Sequence, residues 1–108
     1  MSSYPLPSTD SNIFTVYSIN PCPYCIKAKQ LLTDNLVQFN VIDCNDFKKN
    51  NRDNFLKFIH ELTQSDHKTF PIIFHGNKFI GGFDKLTIYY EEIKKIKQNQ
   101  PLIATDDF

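Results

Sequence analysis

Residues 13–32, IFTVYSINPCPYCIKAKQLL, decide the fold. They begin with a β-branched and aromatic run over residues 13–17, which predicts a buried strand ending at an asparagine–proline breaker. Behind the two cysteines, apolar side chains recur at helical spacing with lysines between them, which predicts a helix that ends near Asn35. The pair Cys22 and Cys25 therefore lies where a strand gives way to a helix.

The rest of the chain continues the alternation of strands and helices. The pattern predicts a strand over residues 37–42, a polar linker over 43–51, a helix with the apolar stripe Phe55, Phe58, Ile59 and Leu62, a hairpin of strands 71–74 and 78–80, and a last helix from residue 83. This order, β-α-β-α-β-β-α, predicts an α/β domain with a small four-stranded mixed sheet flanked by three helices.

Length and charge limit the classes of protein to consider. The chain has 108 residues, enough for one domain, which we place at residues 12–99 between a flexible arm at 1–11 and a short tail at 100–108. Twelve basic and twelve acidic residues give a formal net charge of +0, so we expect no binding to nucleic acid. The first residues contain no basic region or apolar run, so we expect no signal peptide, no membrane association and a cytoplasmic location.

The position of the cysteine pair suggests its chemistry. Backbone N–H groups and the helix dipole at a helix start stabilise a thiolate, so Cys22 is predicted to be the nucleophile and Cys25, one turn later, the resolving thiol. In a reducing compartment such a pair is typical of redox or metal chemistry rather than of a permanent disulfide. A zinc site would need two more ligands, and Cys44 and the three histidines form no second close pair.

The motif C-P-Y-C, together with Lys68-Thr69-Phe70-Pro71, Gly81-Gly82-Phe83-Asp84 and the hairpin between them, resembles the dithiol glutaredoxins of the thioredoxin superfamily. The resemblance implies a thioredoxin-like fold and a glutathione-dependent thiol–disulfide oxidoreductase that reduces protein disulfides and glutathione mixed disulfides. It implies glutathione as co-substrate and disulfide-bearing or glutathionylated proteins as partners. We also expect no bound metal and a monomer. Two alternatives stay open: a thioredoxin-like electron donor to one partner such as ribonucleotide reductase, and an iron–sulfur cluster carrier.

The same resemblance assigns the glutathione groove. It implies a cis bond between Phe70 and Pro71, with the Phe70 backbone pairing with the cysteinyl part of glutathione. Gly82, Phe83 and Asp84 would hold the γ-glutamyl end, and Tyr24 and Thr69 would line the groove.

The cations around this groove depart from the family pattern. The lysine that often stands three residues before the first cysteine is Ile19 here, and a position in the second helix that usually carries Gln or Arg aligns with Leu56. The candidate cations for the glycyl carboxylate or the thiolate are Lys27, Arg52, Lys57 and Lys68. We therefore hypothesise that the Cys22 thiol is less acidic, and glutathione binding weaker, than in relatives with that lysine.

The third cysteine and the three histidines are interpreted as structural residues. Cys44 is predicted to be a half-buried small residue without an assigned function, and the three histidines are predicted to lie on the surface or on helices.

Overall fold

The computed structural model describes residues 4–105, with side chains for all of them except residue 48 and residues 95–105. It contains four strands: β1 (Phe14–Ser18), β2 (Phe39–Asp43), β3 (Ile72–His75) and β4 (Lys78–Gly81). Its helices are α1 (Pro23–Asp34), α2 (Asn45–Lys49), α3 (Arg52–Thr63) and α4 (Phe83–Thr105). None of the helices in residues 4–105 is long and apolar enough to cross a membrane.

The sheet has the strand order β2-β1-β3-β4 and is mixed, as predicted. β1 pairs in parallel with β2, whereas β1 with β3 and β3 with β4 are antiparallel pairs. The carboxyl ends of β1 and β2 therefore lie at the same edge of the sheet, next to the amino-terminal end of β3. This edge carries both Cys22 and Pro71.

Each face of the sheet buries its own apolar cluster. On one face Phe14 and Val16 of β1 pack with Ala28 and Leu32 of α1 and with Leu86 of α4. On the other face the buried residues are Tyr17, Cys44, Phe55, Ile59, Ile72 and Phe74. All five residues of β1 are buried because the central strand is covered by helices on both sides.

The β3–β4 hairpin turns at Gly76, which has φ +62°. A Cβ atom at this position would lie 2.8 Å from Ser11 Cα, so the turn requires glycine both for its backbone conformation and for space. The Gly76 N–H donates to the Ile13 carbonyl at 2.9 Å, which ties the hairpin to the start of β1.

Three parts of the chain differ from the sequence predictions. Residues 43–51 were predicted as a linker, but they contain the short helix α2, so the described residues form four helices rather than the predicted three. The described part of the amino-terminal arm is packed against the domain, through Tyr4 among other residues, instead of being loose. α4 continues through the predicted boundary at residue 99, and residues 106–108 of the predicted tail lie outside the described residues.

Candidate active site

Cys22 and Cys25 form a disulfide at the start of α1, with their Cα atoms 5.2 Å apart. Cys22 is the N-cap residue, and its Sγ accepts a hydrogen bond from the Cys25 N–H at 3.2 Å. Pro23 occupies the first turn, where its missing N–H leaves no gap in the helical hydrogen bonding. The helix start thus aims a backbone donor and its positive dipole end at the Cys22 sulfur.

The two sulfurs differ in access. Cys22 is 8% exposed and Cys25 is 1% exposed, so a substrate reaches Cys22 first. Cys22 Sγ lies 3.7 Å from the carbonyl oxygen of Phe70. The Phe70–Pro71 peptide bond is cis, as the family resemblance implied, and a second cis bond joins Asn20 to Pro21. The cysteine pair is therefore bordered by the backbone that precedes β3.

A cleft of about 260 Å³ lies beside this backbone. It is lined by Ile19, Arg52, Phe55, Leu56, Lys68, Thr69 and Phe70. Two of the four candidate cations, Arg52 from the start of α3 and Lys68 from the segment before the cis bond, are thus brought to one apolar cleft. Ile19 and Leu56, which replace polar residues of the family pattern, form part of its wall.

The other two candidate cations lie elsewhere. Lys27 is exposed on α1, where its Nζ sits 5.2 Å from the centre of the Tyr24 ring. Lys57 is exposed on α3 and is not among the residues that line the cleft in the described part of the chain. The structure therefore separates a pair of cations in the cleft from one beside the cysteine motif.

The segment Gly82, Phe83 and Asp84 forms the start of α4 on the other side of the cis proline. The Leu86 N–H donates to the Gly82 carbonyl at 3.0 Å, so the first N–H groups of the helix, which have no partner within it, lie at Phe83 and Asp84. Asp84 is exposed and forms no ion pair with a basic side chain among the described residues. These donors and this carboxylate suit the two charges of an α-amino acid end.

Tyr24 connects the cysteine motif to this segment. Its ring stacks on that of Phe83, with centroids 6.0 Å apart and an interplanar angle of 27°. Tyr24 is 55% exposed, so part of its side chain is accessible to a bound molecule.

His67 is a residue of this region that the sequence did not single out. It is half-buried, its Nε2 lies 3.4 Å from the Pro71 carbonyl, and its ring meets that of Phe79 edge-on. A Cβ atom on Gly82 would come within 3.5 Å of its Cε1. His67 therefore lies between the Pro71 carbonyl and Gly82, a position that only the nearby T-x-P motif could have suggested from the sequence.

The other two histidines differ in placement. His60 is exposed on α3, as predicted, and its Nδ1 is 2.9 Å from the Ser65 carbonyl oxygen. His75 instead belongs to β3, where it is half-buried, stacks on Phe14 at 4.1 Å and lies 2.6 Å from the Tyr89 hydroxyl. Contacts with Phe14 and Tyr89 therefore hold the His75 side chain, which lies at the end of β3 opposite the cis proline.

Cys44 is fully buried rather than half-buried as predicted, with 0% exposure. Burial raises the pKa of its thiol to about 12; a hydrogen bond with the Ser18 backbone acts in the opposite direction, and the charge of Asp43 adds to the rise. Within residues 4–105, no cluster of three or more His, Cys, Asp or Glu side chains could hold a metal ion. The expectation of a metal-free protein stays a prediction.

Comparison with known families bears on this arrangement. The glutaredoxin family model matches residues 14–80, which include the cysteine motif and the hairpin. The chain belongs to the glutaredoxin family. It is 36% identical over 88 residues to Glutaredoxin 1 of Rickettsia conorii, a match that covers 80% of this chain and 81% of the relative.

Solved glutaredoxin structures share the fold. Glutaredoxin 1 from Francisella tularensis, complexed with cacodylate, aligns with a TM-score of 0.67 at 28% identity, over 77% of this chain and 96% of that one. A buckwheat glutaredoxin–glutathione complex aligns with a TM-score of 0.63 at 25% identity, over 82% of this chain and 77% of that one. The family and its cysteine pair make this chain a glutathione-dependent thiol–disulfide oxidoreductase with a thioredoxin-like fold.

Proposed function

We propose that this glutaredoxin reduces protein disulfides and glutathione mixed disulfides, with Cys22 as the nucleophile and Cys25 as the resolving thiol. The observation that carries the assignment is the N-cap position of Cys22, whose sulfur receives the Cys25 N–H and is the more exposed of the pair. A thiolate there gains from the donor and from the helix dipole. Cys25, buried behind it, is placed to attack the Cys22 sulfur rather than a substrate.

In the dithiol cycle the Cys22 thiolate attacks one sulfur of a substrate disulfide, and the other sulfur leaves as a thiolate that takes up a proton. Cys25 loses its proton and attacks Cys22, which forms the Cys22–Cys25 disulfide and releases the second substrate thiol. The substrate gains two electrons and the protein loses two. Two glutathione molecules then reduce the protein disulfide and leave as glutathione disulfide.

In the monothiol cycle Cys22 takes the glutathionyl group from a glutathionylated protein, whose thiol is released. A second glutathione thiolate attacks the resulting mixed disulfide, regenerates Cys22 and forms glutathione disulfide. This cycle requires Cys22 alone.

Three features support a glutathione groove across this site. The cations of the cleft, Arg52 and Lys68, suit the glycyl carboxylate, since a guanidinium can bind a carboxylate with two hydrogen bonds. The Phe70 backbone, beside Cys22, would pair with the cysteinyl part. The backbone N–H groups of Phe83 and Asp84 would hold the carboxylate of the γ-glutamyl end, and the Asp84 side chain would lie near its ammonium group.

Turnover with a glutathione mixed disulfide tests the cysteine assignment. We expect Cys22→Ser to abolish turnover and Cys25→Ser to retain it, because only Cys22 is needed for the monothiol cycle. Cys44→Ser is the matched control, since this buried thiol lies outside the site, and should leave the rate unchanged. Turnover by the Cys22→Ser variant would refute the assignment.

The proposed setting is the cytoplasm, with the protein acting as a monomer. Recycling distinguishes this function from that of a thioredoxin-like donor. We expect glutathione to reduce the Cys22–Cys25 disulfide, whereas reduction by thioredoxin reductase and NADPH but not by glutathione would favour the donor. A coloured, iron-containing dimer formed with glutathione would favour a cluster carrier instead.

A further inference from the structure

The amino-terminal arm lies outside residues 14–80, the part of the chain that the family model matches. Its Tyr4 nevertheless inserts among three aromatic side chains of α2 and α3. The ring centroids lie 4.9 Å from Phe47, 5.4 Å from Phe55 and 5.1 Å from Phe58, the first two edge-on. These distances fall in the range in which aromatic pairs attract beyond simple burial.

Two hydrogen bonds fix the course of the arm along β1. The buried Tyr17 hydroxyl donates to the Pro5 carbonyl at 2.8 Å, and the Ser8 N–H donates to the Thr15 hydroxyl at 3.1 Å. Both anchors come from the central strand of the sheet. The position of Tyr4 is therefore defined by the most buried part of the domain.

Phe55 links Tyr4 to the cleft. Besides contacting Tyr4, Phe55 stacks on Phe70, with centroids 6.1 Å apart and an interplanar angle of 4°. Phe55 and Phe70 both line the cleft that contains Arg52 and Lys68. Tyr4 thus supports a side chain that forms the wall of the cleft.

The start of α3 lacks a side-chain cap. Its N-cap residue, Asn51, has a positive φ of 55° and makes no side-chain capping hydrogen bond. An N-cap without that bond lacks a common source of helix-end stability. Since Arg52 is the first residue of α3 and Phe55 lies one turn later on the same side, the packing of Phe55 helps to place the Arg52 backbone.

We propose that Tyr4 is a positioning residue for the glycyl side of the glutathione groove, acting through Phe55 on the wall formed with Phe70 and on Arg52. The inference rests on the proposed function. It assigns to the arm a part in substrate affinity, separate from the cysteine chemistry.

Two mixed disulfides that differ only in the glycyl residue test this assignment in the full chain. One carries glutathione and the other carries γ-glutamylcysteine, which has no glycyl group to reach the cleft. We expect Tyr4→Ala to raise KM for the glutathione adduct by roughly two- to ten-fold, the change expected from the loss of the Tyr4–Phe55 contact, with kcat nearly unchanged. KM for the γ-glutamylcysteine adduct should stay as in the wild type.

Three further variants complete the test. Tyr4→Phe keeps the ring and should restore the wild-type KM, and Leu6→Ala, at an arm residue that is 67% exposed, should leave both substrates unaffected. Tyr17→Phe removes the hydroxyl that anchors Pro5 and should shift KM in the same direction as Tyr4→Ala but less, which keeps the proposal testable if Tyr4→Ala fails to fold.

Equal losses with both substrates would show that the arm acts only on overall stability, and no change with either would show that it does not act on the groove; both results overturn the proposal. Absence of glutathione-dependent turnover in the wild type would refute the proposed function itself. The failures of the two proposals are therefore distinguishable.

Discussion

Cys22 and Cys44 each occupy the N-cap position of a helix. The two helices follow β1 and β2, which are neighbouring parallel strands. Cys22 Sγ accepts the Cys25 N–H and remains partly exposed, at 8%. Cys44 makes no side-chain capping hydrogen bond; its Sγ instead donates to the Ile42 carbonyl at 3.5 Å, and its exposure is 0%. The two thiols share a place in the fold and differ in surroundings.

The difference shows what a reactive cysteine requires in this fold. α1 has twelve residues, so its dipole is developed and its first N–H groups point at Cys22, whereas α2 has five residues. Cys44 also packs within the apolar cluster around Tyr17 and Phe55, where an ionised thiol loses its hydration. A helix start after a strand therefore supports a thiolate only when donors and solvent access accompany it.

The largest effect is expected in the alkylation rates of the two cysteines in the reduced protein. At neutral pH we expect iodoacetamide to modify Cys22 at least about 100-fold faster than Cys44, because the thiolate is the reactive form and Cys44 is both neutral and inaccessible. Peptide mass spectrometry over time gives the two rates. In denaturant the rates should converge, and comparable rates in the native state would contradict the distinction.

The raised pKa of Cys44 predicts a pH dependence of stability. Its pKa lies at about 12 in the folded protein, against an ordinary value of 9.0, so the unfolded chain ionises first as the pH rises. The contribution to stability is thus complete below about pH 9 and is lost towards pH 12, at up to roughly 1.4 kcal/mol per pH unit. The pKa of Tyr17 is also raised above its ordinary value of 10.0, mainly by burial and to a smaller extent by the charge of Cys44.

Urea unfolding between pH 9 and 10, below the ordinary pKa of tyrosine, separates the two groups. Cys44→Ser is the matched variant because serine is close in size and does not titrate there. We expect the free energy of unfolding to fall more steeply with pH in the wild type than in this variant. Parallel slopes would show that the Cys44 thiol does not contribute.

The sequence predicted the parts of the site that depend on local pattern. The strand before Cys22, the helix after Cys25 and the cis bond at Pro71 follow from spacing or from family motifs, and the structure confirms them. The hairpin was predictable for the same reason, since a glycine between two β-rich runs needs no distant partner.

The features that sequence missed depend on packing between distant segments. α2 has five mostly polar residues, and its one aromatic residue, Phe47, gains its place from contacts with Tyr4 and Phe55. Prolines and serines around Tyr4 resemble a loose arm because the pattern cannot show an aromatic pocket formed by α2 and α3. The full burial of Cys44 arises in the same way, from the cluster that covers that face of the sheet.

Substitution at Ile19 would sharpen the contrast between the two cysteines. Ile19 is half-buried in the cleft next to Phe70, so Ile19→Lys adds a third cation there. We expect a lower pKa of the Cys22 thiol and a KM for a glutathione mixed disulfide reduced by roughly two- to five-fold, with Cys44 unaffected. Thiolate absorbance against pH gives the first quantity, and Ile19→Met is the uncharged control; an unchanged Cys22 pKa would sink the hypothesis.

A substitution at Lys27 tests whether an exposed lysine near the cysteine motif affects the binding of substrate. Its ammonium group is exposed and lies over the Tyr24 ring at 5.2 Å, so water and salt screen its effect on the sulfur and on a bound anion. We expect Lys27→Gln to raise KM for a glutathione mixed disulfide by at most about two-fold at low salt. At about 0.5 M salt we expect no measurable change in KM. Arg52 is exposed too but lines the cleft, so Arg52→Gln should cost several-fold more, because a guanidinium there can bind the glycyl carboxylate with two hydrogen bonds. Equal losses from the two variants would mean that the cleft gives its cations no advantage over an exposed lysine.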